Sequence, residues 1–152
     1  MRKFIGAIAG VMLALAAFHA GAEEKATVKE AESLVKKAIV YYDKNGKDKA
    51  FAEFSKMPGT FVDRDVYVTV YTPEGDCLAH INPKMVHKNM MELRDADGRY
   101  HIRERLDESK KKSSGWQDTK FFNPVTKKIE PKRIYWEKHD NLVFAAGAYK
   151  PE

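Results

Sequence analysis

Ser114-Gly115-Trp116-Gln117-Asp118-Thr119-Lys120, followed by Asn123-Pro124-Val125-Thr126-Lys127-Lys128 and then Pro131-Lys132-Arg133-Ile134-Tyr135-Trp136-Glu137-Lys138, is the stretch that decides the fold. Two runs of aromatic, branched and charged residues flank an Asn-Pro turn signal, which reads as two strands joined by a turn. Strands that only fill a core have no use for Lys132 beside Tyr135, or for Trp116 beside Asp118. A strand pair that floors a pocket for a small anion can use all four. Lys132 and Tyr135 lie an odd number of residues apart, so a regular strand sends them to opposite faces. A bulge, or a strand that begins after Lys132, would bring both to one face.

Outward from this hairpin, Asp140-Asn141 marks another turn, and the apolar run Leu142 to Tyr149 reads as a final strand. Upstream, Val66-Tyr67-Val68-Thr69-Val70-Tyr71 is dense in β-branched and aromatic residues and predicts a strand. Its alternation puts Tyr67, Thr69 and Tyr71 on one face and the three valines on the other, and the polar-tipped face suits a pocket better. Pro73-Glu74-Gly75-Asp76 is a turn, Cys77 to His80 the returning strand, and Asn82-Pro83 its end. Residues 84–100 read as a loop with a short helical piece, closed by Asp95-Ala96-Asp97-Gly98, and a helix runs from about His101 to Lys112.

Nearer the start, Thr27-Val28-Lys29-Glu30 has the form of a capping box. Val28, Ala31, Leu34, Val35, Ala38, Ile39 and Tyr42 then recur at helical spacing until Asn45-Gly46 stops the helix. A shorter helix carries Ala50, Phe51 and Phe54 and ends at Pro58-Gly59. The order is helix, helix, two strands, helix, three strands: an α+β chain with helices covering an antiparallel sheet.

The first residues read as a secretory signal. Arg2 and Lys3 precede an apolar run from Phe4 to Phe18, and Ala20-Gly21-Ala22 supplies small residues for cleavage after Ala22. An uncleaved anchor is the rival, against which stand the shortness of the run and its Gly6 and Gly10. The reading is therefore a signal peptide over 1–22 and one domain over 23–152, exported to the periplasm. The last strand is followed only by Lys150-Pro151-Glu152, so a free-standing domain is expected, without a second span or a signalling domain.

Loss of Arg2 and Lys3 takes the formal charge from +5 to about +3. That mild surplus is too dispersed for a nucleic-acid binder. The only cysteine, Cys77, excludes an intramolecular disulfide and is expected in the core. His80, His87, His101 and His139 have no metal-ligand spacing, and the near calcium pattern around Asp95 and Asp97 fails because Leu93 occupies its first position. Neither a metal nor another cofactor is expected.

With these elements in order, the chain resembles the single Cache domain, the PAS-like extracellular sensor module of bacterial receptors. The resemblance is carried by Ala50-Phe51-Ala52-Glu53-Phe54, Val66 to Tyr71, Gly75-Asp76-Cys77-Leu78-Ala79-His80-Ile81-Asn82-Pro83-Lys84, Lys88-Asn89 and Asp95-Ala96-Asp97-Gly98. Ser114-Gly115-Trp116, Asn123 to Lys128, Pro131-Lys132 with Tyr135, and Gly147-Ala148-Tyr149 complete it. It implies a long N-terminal helix packed on a five- or six-stranded antiparallel sheet. On the other side it implies a pocket for small carboxylates, under the long loop and helix between the second and third strands. His87 departs from it, standing where a glycine is expected, as does the Arg133-Ile134 pair.

Lys132 is the candidate cation for a carboxylate, Tyr135, Tyr67 and Tyr71 the candidate hydroxyls or walls, and Trp116 a cover over the ligand. His80, at the end of its strand, is a candidate hydrogen-bonding group. The leading functional reading is an exported sensor that binds a small organic acid without catalysis and docks on a membrane receptor or transporter partner. A second is a structural or interaction protein whose pocket is filled by Trp136, Phe121, Phe122 and Phe144. A third is a small hydrolase using Asp118 and Glu137 as a carboxylate pair across adjacent strands.

Overall fold

The computed structural model describes residues 24–150. The signal-peptide reading of 1–22 lies outside the described residues. Helix α1 (Val28–Asn45) begins at the capping box: the Thr27 side chain accepts from the Glu30 N–H while the Glu30 carboxylate accepts from the Thr27 N–H. It ends at Gly46, whose φ of 79° lets its N–H turn back to the Tyr42 carbonyl. Ala31, Val35, Ala38, Ile39 and Tyr42 form its buried stripe, while Val28 at the first turn stands exposed. Helix α2 (Lys47–Phe54) follows directly and buries Ala50 and Phe54.

Six antiparallel strands make the sheet: β1 (Val62–Asp63), β2 (Val66–Tyr71), β3 (Cys77–Ala79), β4 (Ser114–Phe122), β5 (Ile129–His139) and β6 (Leu142–Tyr149). The order is β1-β2-β6-β5-β4, with β3 also paired to β2. The last strand therefore inserts between the first hairpin and the second. The sequence reading lacks β1, whose two residues are too few to show a period. Helix α3 (His101–Ser109) is one turn shorter than expected, and the segment before it forms turns instead of a helical piece. That segment is tied to β3 by Cys77 N–H to Lys88 O, His87 N–H to Cys77 O and Met90 N–H to Gly75 O.

Strand alternation sorts the core into two halves. Val66, Val68 and Val70 of β2, Tyr135 of β5, and Phe144, Ala146 and Ala148 of β6 pack with α1 and α2. On the opposite face Tyr71, Ile134, Trp136, Val143 and Ala145 meet Ile102 and Leu106 of α3 and Met90 of the long loop. Cys77 is fully buried, and burial pushes its thiol up to about 12, so it stays protonated and inert.

Candidate functional site

Between the sheet and the α3 cover lies a cavity of about 550 Å³ of free space, its open mouth included. Tyr67, Thr69 and Tyr71 of β2, Lys132 and Ile134 of β5, and Gly147 of β6 make its floor. Met85, Met90 and Leu93 of the long loop, Ile102 and Arg105 of α3, and Thr119 and Phe121 of β4 supply the remaining walls, with His80 and His101.

Lys132 is held from below. Its ammonium lies 4.3 Å from the Tyr67 ring centre and 4.5 Å from that of Tyr149, and it donates to the Tyr149 hydroxyl at 3.4 Å. Tyr149 directs its own proton to the Phe122 carbonyl at 2.6 Å, which leaves its oxygen free to accept. Gly147 belongs to this arrangement. A Cβ there would stand 2.6 Å from Lys132 Cε and 2.7 Å from Ile134 Cγ1, so the lysine stem crosses β6 only because no side chain is present. Lys132 is only 5% exposed, yet among the described residues it has no carboxylate within ion-pair distance.

His80 and His101 are kept neutral. Burial, with the Lys132 charge as a second cause, lowers the His80 pKa to about 4. Burial and then the Arg105 charge lower His101 to about 4. His80 Nδ1 accepts from the Asn82 N–H at 2.8 Å, so in the neutral ring the proton sits on Nε2 as a donor. His101 packs its ring against Phe121, and its buried Nδ1 has no partner. The hydroxyls of Thr69 and Thr119 are committed elsewhere, to Ala145 O and Asp95 Oδ2.

Four of the six candidate residues line this cavity: Lys132, Tyr67, Tyr71 and His80. Tyr135 and Trp116 do not, and their placement is a correction. The β5–β6 register runs from Lys132↔Tyr149 to His139↔Leu142 without a break, so no bulge rescues the odd spacing and Tyr135 faces α1. Its hydroxyl donates to Glu137 at 2.8 Å, and Lys36 of α1 lies 5.9 Å from its ring centre. Trp116 is opposite Tyr135 in the β4–β5 ladder and therefore shares that face, its ring 5.1 Å from the tyrosine.

The supposed carboxylate pair is also corrected. Asp118 faces Arg133 and Glu137 faces Ser114, which puts the two acids about 13 Å apart along the sheet. Asp118 instead pairs with Arg133 at 3.0 Å and Lys150 at 2.9 Å. Of the residues named as pocket fillers, Trp136 lies in the α3-side core, Phe144 under α1, and Phe122 is exposed. Phe121 lines the cavity without closing it.

Arg105 is the residue that sequence reasoning missed. Its Nε and Nη2 share the Gln117 amide oxygen at 3.1 and 3.0 Å, and Gln117 is oriented by its own N–H donation to the His101 carbonyl at 2.8 Å. On a helix written His-Ile-Arg-Glu-Arg-Leu it reads as one of several solvated cations, and only the docking of α3 turns it inward.

The comparisons agree with this geometry. The family model for single Cache domain 2 matches residues 7–143. A methyl-accepting chemotaxis protein from Vibrio parahaemolyticus RIMD 2210633 is similar in structure, with a TM-score of 0.69 at 22% identity over 80% of this chain and 86% of that one. A Cache chemosensory domain described as the structural basis for carboxylic acid recognition gives 0.69 at 17% identity, over 81% and 92%. The periplasmic sensor domain of a chemotaxis protein gives 0.61 at 20% identity, over 81% and 90%. No curated protein matches the sequence. The family model spans most of the chain, and the six-stranded sheet with its long N-terminal helix is the fold of these neighbours, so this protein belongs to the single Cache domain 2 family.

Proposed function

We propose that this protein is an exported sensor domain that binds a small organic acid without chemistry and passes its occupancy to a membrane receptor or transporter. The observation that carries the reading is Lys132: a buried ammonium, positioned by two aromatic rings, that lines a cavity and has no carboxylate of the described residues beside it. A buried cation without a counter-charge is costly, and a ligand carboxylate offsets that cost. The Nε2–H of His80 and the tips of Tyr67 and Tyr71 stand around the same space. One similar structure is described as recognising carboxylic acids, which supports the same ligand class. Among the described residues no helix is long and apolar enough to cross a membrane.

Thermal denaturation with acetate, propionate, lactate and succinate tests the reading. At least one acid should raise the midpoint, and Lys132→Met should abolish the rise. If no acid shifts the midpoint, or if the variant responds as the wild type does, the proposal fails. The filled-pocket alternative conflicts with the cavity beside Lys132, and the hydrolase alternative has lost its carboxylate pair.

A further inference from the structure

We infer that Arg105 is a second anion contact in this cavity and that the ligand carries two acidic groups, one for Lys132 and one for Arg105. The inference rests on the carboxylate reading above and narrows it to a short diacid.

Arg105 is only 3% exposed and lines the same cavity as Lys132, from the α3 wall rather than the sheet floor. A guanidinium is never neutral in a protein and has five N–H donors. Among the described residues its side chain meets one acceptor, the Gln117 amide oxygen, through Nε and Nη2. That oxygen orients the group but brings no charge. The rest of the fork remains for something in the cavity.

No aspartate or glutamate lines the cavity. Asp95, behind Thr119, already accepts from the Thr119 hydroxyl and from the N–H groups of Asp97 and Arg99. Arg105 likewise forms no ion pair with a carboxylate among the described residues. Two buried cations thus line one cavity with no internal counter-charge. A monoacid on Lys132 would leave the guanidinium uncompensated. A diacid answers both, one carboxylate on the ammonium and the other on the fork, with its short chain against Met90, Leu93 and Ile102.

Calorimetric titration at pH 7.5 with malonate, succinate and glutarate, each beside its monomethyl ester, separates the second charge from the length of the chain. At least one diacid should bind ten-fold or more tightly than its own monoester. Arg105→Met should remove that preference, and Lys132→Met should weaken both ligands. Arg105→Lys, which keeps the charge but not the fork, should retain part of the preference and serves if the methionine variant does not fold. Equal binding of diacid and monoester by the wild type, or a preference that survives Arg105→Met, overturns this inference and leaves the carboxylate reading intact. Binding of no acid at all overturns both.

Discussion

His87 shows how one residue can mark a family and depart from it at once. It stands where the family pattern expects glycine, and the backbone explains the expectation: its φ is 64°, in the left-handed region. A side chain there costs about 1 kcal/mol that glycine does not bear. The position still forms because His87 N–H bonds to the Cys77 carbonyl at 2.8 Å and anchors the loop over the cavity. His87→Gly should therefore hold or raise stability, by up to about 0.5 kcal/mol once the added freedom of the unfolded chain is subtracted. Urea denaturation measures it, and a clear destabilisation would mean that the imidazole has a role beyond its backbone. Lys132 and Tyr135 teach the complementary lesson. Their odd spacing was visible in the sequence, and the unbroken ladder gives it its plain meaning: one faces the cavity and the other the helix.

The β4–β5 hairpin is joined to the rest of the fold by a buried polar knot. Asn123, at the start of the turn, donates from Nδ2 to Glu130 at 2.9 Å and to Asp65 at 3.2 Å, and its Oδ1 accepts from the Val125 N–H. Asp65 in turn accepts from the Ala26 N–H, and Lys25 pairs with Glu130 at 3.0 Å. One side chain thus ties the entry to α1, the start of β2 and the hairpin turn together. Asn123→Ala would leave two buried carboxylates without their shared donor, which should cost about 3 kcal/mol. Chemical denaturation checks the size, and a loss below about 1 kcal/mol would show that water replaces the amide. The Asn-Pro motif was legible in the sequence as a turn. Its role as a junction was not, because Asp65 and Ala26 are distant along the chain.

At the scale of the whole molecule, the neutral histidines of the cavity make stability depend on pH. His80 faces Lys132 and Tyr67, while His101 faces Arg105, Lys132 and Asp95, and both have pKa values lowered to about 4. The unfolded chain takes up their protons near pH 6.5 while the folded one refuses them down to about pH 4, so protons favour unfolding across that window. Stability should be full above pH 6.5 and fall as pH drops to 4, by roughly 3 kcal/mol for each histidine. Glu30, held down to about 2 chiefly by its bond from the Thr27 backbone, adds a further loss only below pH 4.5. Denaturation at a series of pH values checks this. His101→Phe should flatten part of the slope, and a wild-type profile level between pH 6.5 and 4.5 would refute the assignment.

The sequence by itself determined the long elements, their order and the buried stripe of α1, because the periods of helix and strand and the turn residues are local properties. It also determined which side of β2 would carry hydroxyls, and that Lys132 was out of place in a mere core. Only the tertiary structure decided the membership of the pocket. Tyr135 and Trp116 left it when the β4–β5–β6 register proved regular, and Arg105 entered it when α3 docked on the sheet. Register and docking are set by contacts between residues far apart in the chain. The hairpin from Ser114 to Lys138 brought Lys132 to the cavity floor, and the helix laid across the sheet brought Arg105 to its wall.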